Sequence, residues 1–389
     1  MIYGMMRIRS LLLISFCFLI GCKHGESGKT TSEPSKHYVV KKSAEGNPVV
    51  DLYASTRAGD LSAAAKAARP LVYVPNSKSN TVTVIDPVSR KVLRTFKTGK
   101  LPQHVVPSYD MSTLWVTNNE GNSLKRIDPQ TGMDSDYVRV EDPYNLYFTP
   151  DGKNALVIAE RLHRIDFRDP KNFNLIASLK LKCRGPDHMD FMANDRNAII
   201  TCEFSGDLVK IDLVKREAVG YLRLQGHAMP QDIRAAPDGR TFFVADMKQD
   251  GIHVIDAEKF HQIGFIKTGK GTHGIVVGRG GRPFFILNRG SNMIGGGRHG
   301  PGTITVIDPE SRKILISWPI PGGGSPDMGN MTADGKELWV SGRYDSEVYD
   351  VDSTTGKLIA RIPVGAEPHG VCVWPQPGRF STGHTGNMR

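Results

Sequence analysis

The chain has 389 residues, of which 39% are hydrophobic and 23% are charged, and its formal net charge is +10. This composition excludes a disordered, collagen-like or coiled-coil protein, because regularly spaced apolar residues follow position 71 and neither a three-residue glycine period nor a heptad is present. The positive charge favours anionic partners such as lipid headgroups or wall polymers; nucleic acid is the least favoured partner, because no aromatic platform for stacking bases is evident.

Residues 1–21 have the pattern of a secretion signal. Arg7 and Arg9 precede an apolar run over 11–20 that is too short to cross a bilayer in the usual way. The Leu-Ile-Gly-Cys sequence that follows resembles a bacterial lipobox, in which the chain is cut before Cys22 and the thiol receives a diacylglycerol. We therefore expect an extracytoplasmic protein, periplasmic or on the outer cell surface, that is lipid-anchored to a membrane. A plain signal peptide and an uncleaved anchor are the alternatives.

Residues 22–70 are expected to form a tether and a short helical lead-in. The segment 23–47 is rich in small and polar residues, which suits a flexible linker. An alanine-rich stretch over 61–69 predicts a helix that Asp60 caps and Pro70 stops.

Residues 71–375 contain a unit of about 44 residues in seven copies. In each unit an apolar strand ends in aspartate, at Asp86, Asp128, Asp166, Asp212, Asp256, Asp308 and Asp352. With the strands before and after it, each unit has four short antiparallel strands, which is the pattern of a propeller blade. We therefore expect an all-β, seven-bladed β-propeller. Its last strand, over 370–374, is expected to complete the blade that begins at Leu71 and so close the ring, with 376–389 as a tail that packs across the ring or trails free.

Short motifs within the repeats resemble a known family. Tyr-Val-Pro-Asn at 73–76, Trp-Val-Thr-Asn at 115–118 and the Thr-Val-Thr-Val-Ile-Asp-Pro run at 81–87 are similar to the YVTN-type (YncE-like) propeller repeat of bacterial surface and periplasmic proteins. The resemblance covers residues 71–375 and implies the fold. It leaves the function open, because similar propellers include binding proteins, lactonase-like enzymes, a streptogramin lyase, and haem or copper domains of denitrification enzymes.

Alignment of the blades on their first strands gives a column of seven positions: His104, Asn145, His188, Asp232, His273, Met328 and His369. Histidine accounts for 12 of 389 residues, so seven positions should hold far fewer than one by chance, and this column holds four. Innermost strands line the channel of a propeller, so we expect the column to ring one mouth of it.

A second column lies 14 or 15 residues further on, where the second strand returns to the same end: Asn76, Asn118, Glu160, Glu203, Asp246, Asn288 and Gly342. Hairpin geometry brings it beside the first column. Imidazole suits Zn, Cu, Ni or Fe, and carboxylate oxygens suit Mg, Ca or Mn, so the combined set predicts a site for a divalent metal ion or a polar ligand. The alternative is a purely structural polar lining that holds water.

Two further features accompany this predicted site. A glycine-rich insertion over 292–302 is expected at the same mouth, where Arg298 and His299 could close over a ligand; a tolerated surface insertion is the alternative. Cys183 and Cys202 flank one blade hairpin, and export makes a disulfide between them plausible, with free thiols as the alternative.

These observations favour a membrane-anchored propeller that binds a ligand, a metal ion or an envelope protein at the mouth of its channel. No recognisable catalytic motif supports an enzyme. The alternative is a metal-dependent, lactonase-like hydrolase or lyase that uses the same face, and a scaffold in envelope assembly is a third possibility.

Overall fold

The computed structural model describes residues 38–42, 48–295, 297 and 300–389. Seven four-stranded sheets, each made of antiparallel neighbours, form the seven blades. The predicted all-β, seven-bladed propeller is confirmed.

Every blade has the same order of strands from the channel outward. The innermost strands are β30 (Cys372–Trp374), β6 (Pro102–Pro107), β10 (Pro143–Phe148), β14 (Pro186–Phe191), β18 (Pro230–Ala235), β22 (Thr272–Val277) and β26 (Pro326–Met331). The second strands are β3 (Leu71–Asn76), β7 (Leu114–Asn118), β11 (Ala155–Ala159), β15 (Asn197–Cys202), β19 (Thr241–Asp246), β23 (Phe284–Asn288) and β27 (Glu337–Gly342). The third strands are β4 (Thr81–Ile85), β8 (Ser123–Ile127), β12 (Arg164–Arg168), β16 (Asp207–Asp212), β20 (Gly251–Asp256), β24 (Thr303–Asp308) and β28 (Glu347–Asp352). The outermost strands are β5 (Val92–Lys97), β9 (Asp134–Arg139), β13 (Leu175–Lys180), β17 (Glu217–Arg223), β21 (His261–Lys267), β25 (Lys313–Pro319) and β29 (Leu358–Pro363).

The two ends of the propeller meet in one blade. β30 pairs antiparallel with β3, so that Leu71 lies opposite Trp374 and Tyr73 lies opposite Cys372. The predicted closure by strands from both ends of the repeat region is therefore confirmed, and it removes the free sheet edge that an open ring would leave.

The core lies between adjacent blades. Inner and second strands are buried on both faces because each sheet is covered by a neighbour on either side, which is why β11 reads Ala-Leu-Val-Ile-Ala without a polar residue. The outermost strands alternate exposed and partly buried residues, as in β17. This rigid packing holds the innermost strands around the channel.

The lead-in differs from its prediction. Part of the expected tether forms a hairpin of β1 (Val39–Lys42) and β2 (Pro48–Asp51), in which β-branched Val40 lies opposite Val50. The predicted helix is shorter, α1 (Ala63–Ala67), and its cap is Ser62 rather than Asp60, because the Ser62 hydroxyl accepts a hydrogen bond from the amide of Ala65 at 3.1 Å.

A single 3₁₀ turn over Arg279–Gly281 is the other short helical element of the described chain. No helix among the described residues is both long enough and apolar enough to span a membrane.

Candidate functional site

A recurrent irregularity of the innermost strands brings the first column into the channel. The pairing register with the second strand shifts near the start of every innermost strand from β6 to β26, for example between Pro186 and Met189. In three blades a hydroxyl on the second strand satisfies the backbone N–H of the column residue: Thr117 accepts from His104, Thr201 from His188 and Ser341 from Met328. Such bulges re-aim side chains, and here they direct the column toward the channel axis.

The four column histidines form one cluster. Neighbouring ring centroids are 5.5 Å apart for His104 and His188, 6.4 Å for His188 and His273, 5.5 Å for His273 and His369, and 4.9 Å for His369 and His104. All four residues are at most 2% exposed. The sequence places this column at one mouth of the channel; in the structure its four histidines are buried and lie close to one another.

Two of these imidazoles have no hydrogen-bond partner among the described residues. Both ring nitrogens of His104 and of His188 are buried and make no hydrogen bond, although Nδ1 of His188 lies 3.2 Å from a carboxylate oxygen of Asp187. Burial lowers the pKa of His188 and His369 to about 4, and that of His104 and His273 well below the usual value. The rings are therefore neutral at pH 7 and have a free lone pair, which is the form that ligates a transition metal.

The other two imidazoles lie beside a carboxylate. Asp327 accepts a hydrogen bond from Nδ1 of His369 at 2.7 Å. It also lies 3.0 Å from Nδ1 of His273, which makes no hydrogen bond among the described residues. Although burial opposes ionisation, the Arg289 guanidinium and the two imidazoles hold the pKa of Asp327 well below its usual range. An ionised carboxylate on Nδ1 fixes the imidazole tautomer and leaves Nε2 as the ligand atom, the arrangement found behind metal-bound histidines.

The innermost strands carry four aspartates, and Asp187 differs from the other three. Three have an arginine partner: Asp190 with Arg389, Asp232 with Arg234, and Asp327 with Arg289. Asp187 has no cationic partner in the described part of the chain; the neutral imidazole of His188 lies beside it, with Nδ1 3.2 Å from its Oδ2. Burial raises the pKa of Asp187 well above the usual value. A bound cation would relieve that cost.

The remaining column residues take different positions around the cluster. The Asn145 amide is 2.9 Å from a fifth imidazole, that of His384 in the tail, and Asp232 lies 3.9 Å from the same ring. Met328 is buried, with its sulfur against the backbone of Gly274. Five imidazoles, rather than the four of the repeats, therefore meet in the channel.

The second column divides into two groups. Asp246 accepts hydrogen bonds from three backbone amides and from His253, so the prediction that it joins the ligand set is wrong: its oxygens hold the turn of its own blade. Asn76, Asn118 and Asn288 bond to Ser and Thr hydroxyls around their own blade turns.

Glu160 and Glu203 form the second group. Burial, followed by the neighbouring Asp187 carboxylate, raises the pKa of Glu203 to about 7. Burial and the nearby Glu203 raise the pKa of Glu160 well above its usual value. Both carboxylates also help to raise the pKa of the buried Tyr144 hydroxyl. The Tyr144 ring centroid is 5.7 Å from the ring centroids of two column histidines, so this tyrosine connects the two carboxylates to the imidazoles.

Sequence reasoning missed Asp187, Asp327 and His384. The two aspartates each precede a column residue in a Pro-Asp pair, at 186–187 and 326–327, and this shared pair was the available signal. His384 lies outside the repeats and carries no periodic signal.

The peripheral predictions have different outcomes. The structure joins Cys183 to Cys202 by a disulfide, which ties the loop before β14 to the end of β15. Arg298 and His299, proposed as a lid, lie outside the described residues, as does the proposed lipidation site Cys22.

Comparison with known proteins identifies the fold. A family model described as YNCE-like beta-propeller matches residues 44–378. A search of curated proteins finds no match.

Similar solved structures include hydrazine synthase of Kuenenia stuttgartiensis, with 19% identity and a TM-score of 0.58 over 68% of this chain and 87% of that one. A functionally unknown protein from Desulfotomaculum acetoxidans has 14% identity and a TM-score of 0.66 over 79% and 100%. The dihydro-heme d1 dehydrogenase NirN, solved in complex with DHE, has 14% identity and a TM-score of 0.59 over 86% and 79%. At these identities the likeness concerns the fold alone.

Proposed function

Because the chain belongs to the YNCE-like β-propeller family, we propose that it is a lipid-anchored, extracytoplasmic propeller that binds a ligand at the histidine cluster of its channel, and that a divalent transition-metal ion is the ligand this cluster suits best. One observation carries the proposal: four imidazoles from four blades meet within 6.4 Å of their neighbours, and two of them have no hydrogen-bond partner among the described residues. Buried polar groups are normally satisfied, so unpaired ones call for an absent partner.

The chemistry of the donors narrows the class of ion. Neutral imidazole nitrogens are borderline-soft ligands that suit Zn, Cu, Ni and Fe better than Mg or Ca. Asp187 adds a carboxyl group beside His188, and it lacks the arginine that the other inner-strand aspartates have. A divalent cation would supply the missing positive charge.

The proposed lipid anchor rests on the lipobox at Cys22, and the proposed extracytoplasmic location is supported by the disulfide. A Cys183–Cys202 bridge is consistent with an oxidising compartment outside the cytoplasm. In cells, labelled palmitate should be incorporated into the wild-type protein but not into a Cys22→Ser variant. Equal labelling of the two proteins would contradict the proposed lipid anchor.

Metal binding is tested with zinc and copper on protein purified without a polyhistidine tag. We expect about one ion per chain by mass spectrometry after dialysis, lost in His188→Ala and kept in the control His261→Ala, whose histidine is exposed on an outermost strand. A protein that takes up neither ion at micromolar concentrations would overturn metal binding as its function.

A hydrolase remains the second candidate because of Glu203. A carboxylate with a pKa of about 7 beside a metal site is suited to act as a general base that activates water. Zinc-loaded protein should then open simple lactones, and Glu203→Gln should abolish that activity while zinc remains bound. If Glu203→Gln opened the lactone as fast as the wild type, Glu203 would not be the general base.

A further inference from the structure

The tail is part of the channel wall. Residues 381–385 are buried, and so are Asn387 and Arg389. Thr382 accepts a hydrogen bond from the amide of Phe148 at 3.1 Å, and the amide of His384 donates to the carbonyl of Leu146 at 2.8 Å. The tail thus lines up antiparallel to β10, with Gly383 opposite Tyr147.

Charge also holds the tail in place. The guanidinium of Arg389 pairs with Asp190, and both side chains are fully buried. The same guanidinium lies 5.0 Å from the ring centroid of Tyr53. Asp190 lies on β14, the strand that also carries Asp187 and His188. The tail is therefore anchored to β14, the strand that carries His188.

This docking places His384 against two of the column histidines. Its ring centroid is 4.8 Å from that of His104 and 5.1 Å from that of His188. One nitrogen from each of the three rings lies within 4.8 Å of the other two, and Nε2 of His384 has no hydrogen-bond partner among the described residues. We infer that His104, His188 and His384 are the three protein ligands of a transition-metal centre, and that the ion fastens the tail into the channel. This inference rests on the proposed function and assigns its ligands.

The spacing is compatible with a small side-chain adjustment. Zinc at about 2.0–2.1 Å from each nitrogen requires donors about 3.4 Å apart in a tetrahedral site, so rotations that bring the nitrogens up to about 1.4 Å closer complete the geometry. Asp187 stands beside His188, either as a fourth ligand or as the carboxylate that orients that ring.

Asn145 controls the tautomer of His384. Its amide nitrogen is 2.9 Å from Nδ1 of His384, and its carbonyl accepts from the amide of Leu146 at 2.9 Å. In this orientation the Asn145 amide donates to Nδ1 and places the ring proton on Nε2, so ligation through Nε2 moves that proton to Nδ1 and gives up this hydrogen bond. An aspartate there accepts from both Leu146 and Nδ1 without any rearrangement.

The experiment measures Zn²⁺ affinity by competition with a chromophoric chelator. Loss of a second-shell partner typically costs 10–100-fold in affinity, so loss of a direct ligand in His384→Ala should cost at least about 100-fold. Ser381→Ala is the matched control, because it removes two tail hydrogen bonds, one to the carbonyl of Pro107 and one from the amide of Gly383, but no metal-binding nitrogen. It should bind within about threefold of wild type, and Asn145→Asp should bind about tenfold tighter.

Hydrogen exchange of residues 380–389 provides a second readout. Zn²⁺ should slow exchange there in the wild type but not in His104→Ala or His384→Ala, with peptides of the outer strands as the control for folding. If His188→Ala loses zinc and His384→Ala keeps wild-type affinity, the tail ligand is refuted while metal binding stands. If the wild type itself takes up neither zinc nor copper, both proposals fall.

Discussion

Two sets of buried polar residues recur from blade to blade, and they differ in how they are satisfied. At the ends of the second strands, Asp246 and Asn288 each make several hydrogen bonds within their own blade or to the turn beside it. On the innermost strands, His104 and His188 make none through their rings among the described residues. Recurrence alone therefore does not separate a residue that builds the blade from one that serves a site.

The difference has an energetic basis. An unpaired buried donor or acceptor costs about 1–3 kcal/mol, whereas a satisfied one contributes to stability. The second-strand set stabilises the propeller. The histidine cluster lowers its stability until a partner binds, which is the cost expected of a binding site prepared in advance.

Replacement of Asp246 tests the structural set and should have the largest effect. Asp246→Ala leaves the backbone amides of Met229, Lys248 and Gln249 without their acceptor. We expect the free energy of unfolding to fall by about 3–5 kcal/mol, measured by urea denaturation in EDTA. Asp136→Ala, on the exposed face of an outermost strand, is the control and should change little. A loss below about 1 kcal/mol would contradict the structural role of Asp246.

Glu203 belongs to the second column but interacts electrostatically with the inner-strand Asp187. Its replacement should change the free energy of unfolding by an intermediate, pH-dependent amount. Its pKa is raised by burial to about 7, so the folded protein holds this proton over a pH range in which the unfolded chain has released it. Stability contributed by the protonated form is present at low pH and is lost as the pH rises from about 4.5 to 7. Glu203→Gln should therefore match wild type near pH 4 and exceed it at pH 8 by on the order of 2–3 kcal/mol.

The measurement is urea denaturation of metal-free protein across that pH range. Glu258→Gln, at an exposed surface carboxylate, serves as the control. A constant difference between Glu203→Gln and wild type at every pH would show that the carboxylate does not titrate as proposed.

The repeat explains what could be predicted from sequence. Copies of one unit fix the fold and the register of the innermost strands, so His104, His188, His273 and His369 could be placed together without coordinates. The register shift at the start of those strands could not be predicted. In a regular strand Asp187 and His188 would face opposite sides of the sheet, whereas the bulge lets both approach the cluster.

His384 could not be predicted because nothing local determines where the tail goes. Its position depends on hydrogen bonds to β10 and on the Arg389–Asp190 pair, which are contacts between residues far apart in sequence. The burial of the histidine cluster could not be predicted from the repeats either, since the tail covers part of the cluster.

Replacing a buried histidine by leucine, once beside the second-strand set and once in the histidine cluster, compares the two sets directly. The change in the free energy of unfolding at the cluster should be the smallest of these predicted effects. His253 is 1% exposed and bonds to Asp246 at 2.8 Å, whereas His104 is fully buried with both nitrogens unpaired. His253→Leu leaves a buried carboxylate oxygen without its partner and should lower the free energy of unfolding by about 1–3 kcal/mol in EDTA. His104→Leu removes no hydrogen bond and should change it by less than about 1 kcal/mol, or raise it. With zinc present His104→Leu should be the more destabilising of the two substitutions, because only the wild type and His253→Leu gain stability from the bound ion. Equal losses of stability at both positions without metal would contradict the comparison, because they would mean that contacts within the protein already stabilise the His104 ring.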